Sequence, residues 1–230
     1  MVRIIAGRAF VSRMIPVIPV IAWAAVAAAA LVAAGPLSSC LPTFGGDAPV
    51  GQPYSDDFEG GVLNAPWRSQ GGSWRIVPVE GGHAVSSIGD HNIPLGLDVP
   101  LSRNCRVEFD AWSDSSDVDI KMEIFGDGIR HESGYIVIAG GWNNTLTVIA
   151  RLDEHQPGRA TKKARFEPRR RMHFVVERAD GHTLTLDIDG RRILSYDDDA
   201  PLYGPRNNKL AFSAWESQVS YDNVVITPLP

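Results

Sequence analysis

From Tyr54 onward the chain shows no helical periodicity. Short runs of alternating apolar and polar residues recur instead, punctuated by Gly, Asn, Asp and Pro. They predict strands near 54–58, 73–79, 83–88, 93–99, 104–113, 118–125, 134–140, 145–153, 171–179, 182–189, 191–196, 208–216 and 219–228. Asp189-Gly190 is a hairpin signal between two such runs, and Ala179-Asp180-Gly181-His182 is another. So many strands without an intervening helix predict an all-β domain, either a two-sheet sandwich or a closed barrel.

The period of two sorts side chains into faces. Cys105, Val107, Phe109 and Ala111 oppose Arg106, Glu108, Asp110 and Trp112. Ile120, Met122 and Ile124 oppose Asp119, Lys121 and Glu123, and Leu210, Phe212 and Ala214 oppose Ala211, Ser213 and Trp215. In the run after Trp142, Leu146, Val148, Ala150 and Leu152 read as core, with Thr147, Ile149, Arg151 and Asp153 on the wet side. Run 134–140 is apolar on both sides, as in a central strand covered on both faces. Between these last two runs, Gly140-Gly141 provides the backbone freedom for a turn that carries Trp142, Asn143 and Asn144.

The first forty residues follow a different pattern. Arg3, Arg8 and Arg13, with no acid, precede an apolar run from Met14 to Ala34, and Leu37-Ser38-Ser39-Cys40 follows. This is the layout of an export signal. The tetrapeptide resembles the lipobox of bacterial lipoproteins, which implies cleavage before Cys40 and lipidation of its thiol. An uncleaved signal anchor is the alternative. The chain thus divides into a signal peptide 1–39, a Pro- and Gly-rich tether 40–53, and a domain 54–230. Leu rather than Asp at position 41 implies, by analogy with Gram-negative sorting, the outer membrane.

Removing three arginines and no acid takes the formal charge from -5 to -8 for the mature part. That balance excludes nucleic acid as the expected partner. With Cys40 lipidated, Cys105 has no disulfide partner; its alternation with apolar neighbours marks a buried thiol.

The domain resembles the concanavalin A-like lectin/glucanase superfamily, the jelly-roll fold that includes laminin-G-like and 3-keto-disaccharide hydrolase-like domains. The resemblance rests on Asp56-Asp57-Phe58-Glu59, Trp67 and Gly72-Ser73-Trp74-Arg75-Ile76 near the domain start. It rests also on the run from Val175 to Gly190 with its Asp-Gly turn, and on Ser220-Tyr221-Asp222-Asn223-Val224-Val225-Ile226 at the end. It implies a two-sheet antiparallel jelly-roll sandwich whose first and last strands pair, setting Phe58 beside the strand of Tyr221 to Ile226. It also implies carbohydrate held on the concave sheet.

Sugar recognition needs flat aromatic faces and fixed polar groups. The candidate ligand residues are Trp112, Glu123, Trp142, Asn143, Arg151, Asp153 and Trp215. The alternative is catalysis by paired carboxylates, with Glu123 as acid/base and Asp119 as the second carboxylate. The superfamily's glucanases carry Glu-x-Asp-x-Glu at such a place; here the row is Asp119-x-Lys121-x-Glu123, a departure that puts their mechanism in doubt. Lys121 is expected to lower the pKa of either acid. No cofactor is implied and no His or Cys pair has zinc-ligand spacing. Asp57 with Asp222, across the terminal strand pair, is the candidate for a structural calcium ion. Arg165 with Arg169-Arg170-Arg171 either offsets nearby acids or meets anionic glycan or lipid headgroups.

These observations together predict an exported, lipid-anchored module that binds a glycan or another cell-surface partner. A glycoside hydrolase-like enzyme and a structural envelope lipoprotein are the alternatives.

Overall fold

The computed structural model describes residues 51–230; the expected signal peptide, Cys40 and its lipidation lie outside the described residues. Two antiparallel sheets account for nearly all regular structure there. The first contains β1 (Tyr54–Asp56), β3 (Arg75–Val79), β4 (Gly82–Ile88), β6 (Cys105–Ser113), β11 (Met172–Arg178), β12 (Thr183–Ile188), β13 (Arg191–Asp197) and β15 (Gln218–Pro228). The second contains β2 (Trp67–Ser69), β5 (Leu95–Leu97), β7 (Ile120–Gly126), β8 (Tyr135–Gly140), β9 (Leu146–Arg151), β10 (Ala160–Lys163) and β14 (Lys209–Ser213). Their orders are β13-β12-β11-β6-β15-β4-β3, with β1 also on β15, and β10-β9-β8-β7-β14-β5-β2. This is the jelly-roll sandwich.

The inward rows of β6, β7 and β14 are those expected from alternation: Val107, Phe109, Met122, Ile124, Leu210 and Phe212 lie in one core. Aromatic rings bridge the sheets. Phe109 stacks on Phe174 at 5.0 Å and meets Phe212 edge-on at 5.2 Å, and Phe212 stacks on Tyr221 at 4.1 Å. Burying such rings contributes about 1.5–3 kcal/mol each. Tyr221 also ties the sheets with a polar bond. Its hydroxyl lies 2.8 Å from Lys121 O and 3.0 Å from Ser213 O, and accepts from Lys121 N at 3.1 Å. The pin therefore fixes the backbone of Lys121 from beneath. Cys105 is buried, and burial pushes its thiol up to about 12.

β1 pairs β15 with Tyr54 opposite Ile226, and Phe58 is buried in the core with Val224. Asp189 and Gly190, both at positive φ, form the two-residue turn between β12 and β13.

Three expectations are corrected. β9 is turned over: Ile149 belongs to the main core and buried Thr147 shares its side of the strand. Val148 and Ala150 join Ile136 and Ile138 in a separate apolar cluster on the other face, and Leu152 is exposed. Thr147 and Arg151 made the row of Ile149 read as the wet one, yet both rows of β9 are covered; pairing with β8 decides, setting Ile149 opposite Val137. The end of the expected tether is docked, since Gly51 is buried and its amide donates to Ser102 Oγ at 2.9 Å. Two strands had escaped the pattern. β2 has three residues, and β10, Ala-Thr-Lys-Lys, is a polar edge with no apolar row.

Candidate functional site

The outer face of the second sheet carries a cleft of about 400 Å³ over β7, within the range of ligand pockets. Its sides are Trp142 with Asn143 and Trp215 with Glu216, and Asp117, Asp119, Lys121, Ile138, Glu154 and His155 complete it.

Lys121 organises the floor. Its side chain is 2% exposed, and Nζ donates to Asn92 Oδ1 and to Glu154 Oε2, both at 2.8 Å, with Asp119 Oδ2 at 3.9 Å. Asp119 Oδ2 accepts the amide of Trp215 at 2.6 Å, so the carboxylate holds the loop that presents the indole. Burial moves the Asp119 carboxyl above its ordinary value despite the opposing ammonium of Lys121. Lys121 does act to lower it, as expected, but desolvation outweighs the ion pair and the net displacement is upward. Glu154 behaves oppositely. Its burial is overcome by His131 and Lys121, and the carboxyl falls to about 2. One cleft therefore holds two carboxyls displaced in opposite directions.

Glu123, two residues along β7 from Lys121, is fully engaged. It accepts from His131 Nδ1 at 2.9 Å, Glu132 N at 2.7 Å and Ser133 N at 3.0 Å. Nearly buried, Glu123 holds this loop by its backbone and stands outside the lining of the cleft, apart from the indoles it was expected to join. His131 also lies 3.6 Å from Glu154 Oε2. Burial opposes its imidazolium, but the bonds to Glu123 and Glu154 prevail and raise its pKa to about 9.

The two indoles are held by different means. Trp215 stacks on His91 at 4.6 Å, and His91 Nε2 pairs with Glu216 at 3.1 Å. Trp142 sits in a left-handed turn over Gly141–Asn144, where Trp142, Asn143 and Asn144 all have φ between 51° and 57°. Such backbone costs roughly 1–2 kcal/mol per non-glycine residue. Gly140, at φ 75°, starts the turn where an added Cβ would meet Val118 at 2.9 Å. Buried Asn144 clamps it: Oδ1 accepts Phe166 N at 2.9 Å and Nδ2 donates to Phe166 O at 2.7 Å. Thr145 Oγ1 closes it by donating to Trp142 O at 2.6 Å. The result leaves Trp142 36% and Trp215 49% exposed, facing a polar floor.

Of the candidate ligand residues, Trp142, Asn143 and Trp215 meet at this cleft, with Asp119 beside them. Trp112 does not; it lies on the outer face of the first sheet, with the Arg171 guanidinium 5.1 Å over its ring. Alternation marks a side chain as outward but not on which sheet, and β6 and β14 belong to different ones. Arg151 pairs with Asp198 at 2.9 Å at the sandwich edge, and exposed Asp153 accepts the amide of His155 at 2.7 Å. Asp57 and Asp222 line one cavity on the first sheet, but Arg171 ion-pairs Asp222 there. Among the described residues no group of three His, Cys, Asp or Glu is placed to hold a metal.

The ligand set drawn from sequence omitted Lys121, Glu154, His155, His91, Asn92 and Glu216. Lys121 stood on the wet row of its strand; Glu154 and His155 lay past the last regular alternation. His91, Asn92 and Glu216 come from loops and carry no periodic signal.

No family model and no curated protein matches the chain. Several solved structures do. The carbohydrate-binding module CBM66 from Bacillus subtilis superposes with a TM-score of 0.54 at 15% identity, over 69% of this chain and 92% of that one. A prokaryotic β-1,3-1,4-glucanase (lichenase) from a mouse hindgut metagenome gives 0.55 at 12%, over 76% and 99%. Domain 4 of AbnA, an extracellular arabinanase of Geobacillus stearothermophilus solved with arabinotriose, gives 0.54 at 14%, over 80% and 94%. What they share with this chain is the two-sheet jelly-roll fold.

Proposed function

We propose that the protein is an exported glycan-binding module that holds sugar in the cleft between Trp142 and Trp215. The observation that carries this reading is the pair of exposed indoles flanking a floor of fixed carboxylates, an amide and an ammonium. Indole faces cover the apolar side of a pyranose while the floor meets hydroxyls. Structural neighbours that include a carbohydrate-binding module and an arabinanase domain solved with arabinotriose support it. The leader and Leu37-Ser38-Ser39-Cys40 support export and lipid anchoring at Cys40. A polysaccharide-binding assay tests the reading. Trp215→Ala and Trp142→Ala each weaken binding about ten- to a hundredfold, taking about 1.5–3 kcal/mol per buried aromatic face. Trp112→Ala, on the other sheet, leaves binding unchanged. Equal loss in all three variants, or in none, sinks the proposal.

One observation favours a second reading, hydrolysis of the bound chain. Asp119 is raised and Glu154 lowered within one cleft, the division expected of an acid and its ionised partner. Release of reducing ends that is lost in both Asp119→Asn and Glu154→Gln supports it, and silence from the wild type on the polymers it binds excludes it.

A further inference from the structure

The segment from Arg159 to Arg171 carries seven basic residues and one acid, Glu167, in a chain of net charge -5. The structure splits this run in two. Arg169, Arg170 and Arg171 are paired, with Asp114, with Asp189, and with Asp110 and Asp222. Arg159, Lys163 and Arg165 have no carboxylate within 4.0 Å among the described residues.

These three share the face that bears the cleft. β10 pairs β9 with Ala160 opposite Ile149 and Lys163 opposite Leu146. Residues directly opposite in an antiparallel pair point the same way. Ala160 and Lys162 therefore follow Ile149 and Thr147 toward the sandwich interior side, and Thr161 and Lys163 follow Val148 and Leu146 to the outer face. Arg159 takes the outer side, with its guanidinium 5.4 Å over the Trp142 ring. Past the strand, Phe166 packs on the core, which leaves Arg165 outward. The row is stepped at about 7 Å per two residues. Its first member touches the cleft wall, and Arg159 Nε is buried without a hydrogen-bond partner.

The cleft itself is acidic, with Asp117, Asp119, Glu154 and Glu216, and the charge of Lys121 is already taken by Glu154. An anion is disfavoured on the floor and favoured just beyond Trp142. Resting on the glycan-binding reading, we infer that the ligand is an acidic polysaccharide, with a neutral sugar unit between the indoles and a carboxylate or sulfate of a neighbouring unit on the Arg159–Lys163–Arg165 row.

The test titrates the full-length protein with neutral polymers (arabinan, mixed-linkage β-glucan) and acidic ones (polygalacturonate, alginate, hyaluronan). The expected result is tighter binding of at least one acidic polymer at ~50 mM salt, weakening at least tenfold by ~500 mM as charges are screened. The triple variant Arg159→Ala, Lys163→Ala, Arg165→Ala loses at least tenfold on that polymer, with unchanged thermal unfolding. Lys162→Ala, of equal charge but opposite orientation, binds as wild type. The inference is overturned if neutral polymers alone bind, if the triple variant matches wild type, or if Lys162→Ala weakens binding as much. Capture only by phosphatidylglycerol vesicles overturns it in favour of a membrane contact. Neutral binding that stays sensitive to Trp215→Ala preserves the parent reading while removing this one; no polysaccharide binding at all removes both.

Discussion

Raising the pH should strip stability from the site through His131. The imidazole ordinarily titrates near 6.5; held between Glu123 and Glu154 it titrates near 9 in the folded chain. A folded pKa above the unfolded one means that folding takes up a proton. The contribution is fully present below pH 6.5 and is lost as pH rises through 9. The displacement of 2.5 units, at 1.36 kcal/mol each, is worth about 3 kcal/mol, or roughly 6–12 °C of melting temperature for a domain of this size. The depressed pKa of Glu154 reports the same contacts from the other side and is not added. Urea unfolding of wild type and His131→Gln between pH 6 and 10 measures the effect. At pH 6 the variant should be about 3 kcal/mol less stable, and the gap should narrow across the window from 6.5 to 9. A gap that does not change with pH would instead mark a packing defect alone, which has no reason to titrate there, and would exclude the proton linkage.

Two further variants probe what holds the cleft. Glu123→Gln replaces a buried carboxylate that accepts four donors from residues 131–133, and an amide cannot serve them all; about 2–3 kcal/mol of stability should be lost, read by denaturant unfolding. Asn144→Ala removes the two bonds to Phe166 that hold the left-handed turn carrying Trp142. It should cost about 1–3 kcal/mol, and hydrogen exchange at residues 141–145 should accelerate while β6 and β15 stay protected.

Much of this fold is written in alternation, because a strand with one buried face imposes a period of two. The rows of β6, β7 and β14 follow it, and every expected run contains a strand. It fails where burial is two-sided, as in β9, and where an edge strand buries little, as in β10. The site was legible only in part for a related reason. Trp142 and Asn143 stand at a turn flagged by two glycines, and Trp215 ends an alternating run. Trp112 has an equally strong outward signal, yet sheet membership is set by long-range pairing, Ala111 with Met172 and Tyr221, which no local pattern encodes. The loops that bring His91, Asn92 and His131 to the floor are likewise placed by tertiary bonds.

The most direct test of the account follows the indole N–H signals of the tryptophans by NMR during titration with a polysaccharide that the protein binds. Trp67 and Trp74 have their indole N–H groups bonded inside the fold, to Asp56 and Ile93 O, and Trp112 lies on the opposite sheet. With sugar held between the two indoles, the Trp142 and Trp215 signals move together along one saturating curve while those of Trp67, Trp74 and Trp112 stay in place. Movement of Trp112 with Trp142 and Trp215 unchanged would contradict it.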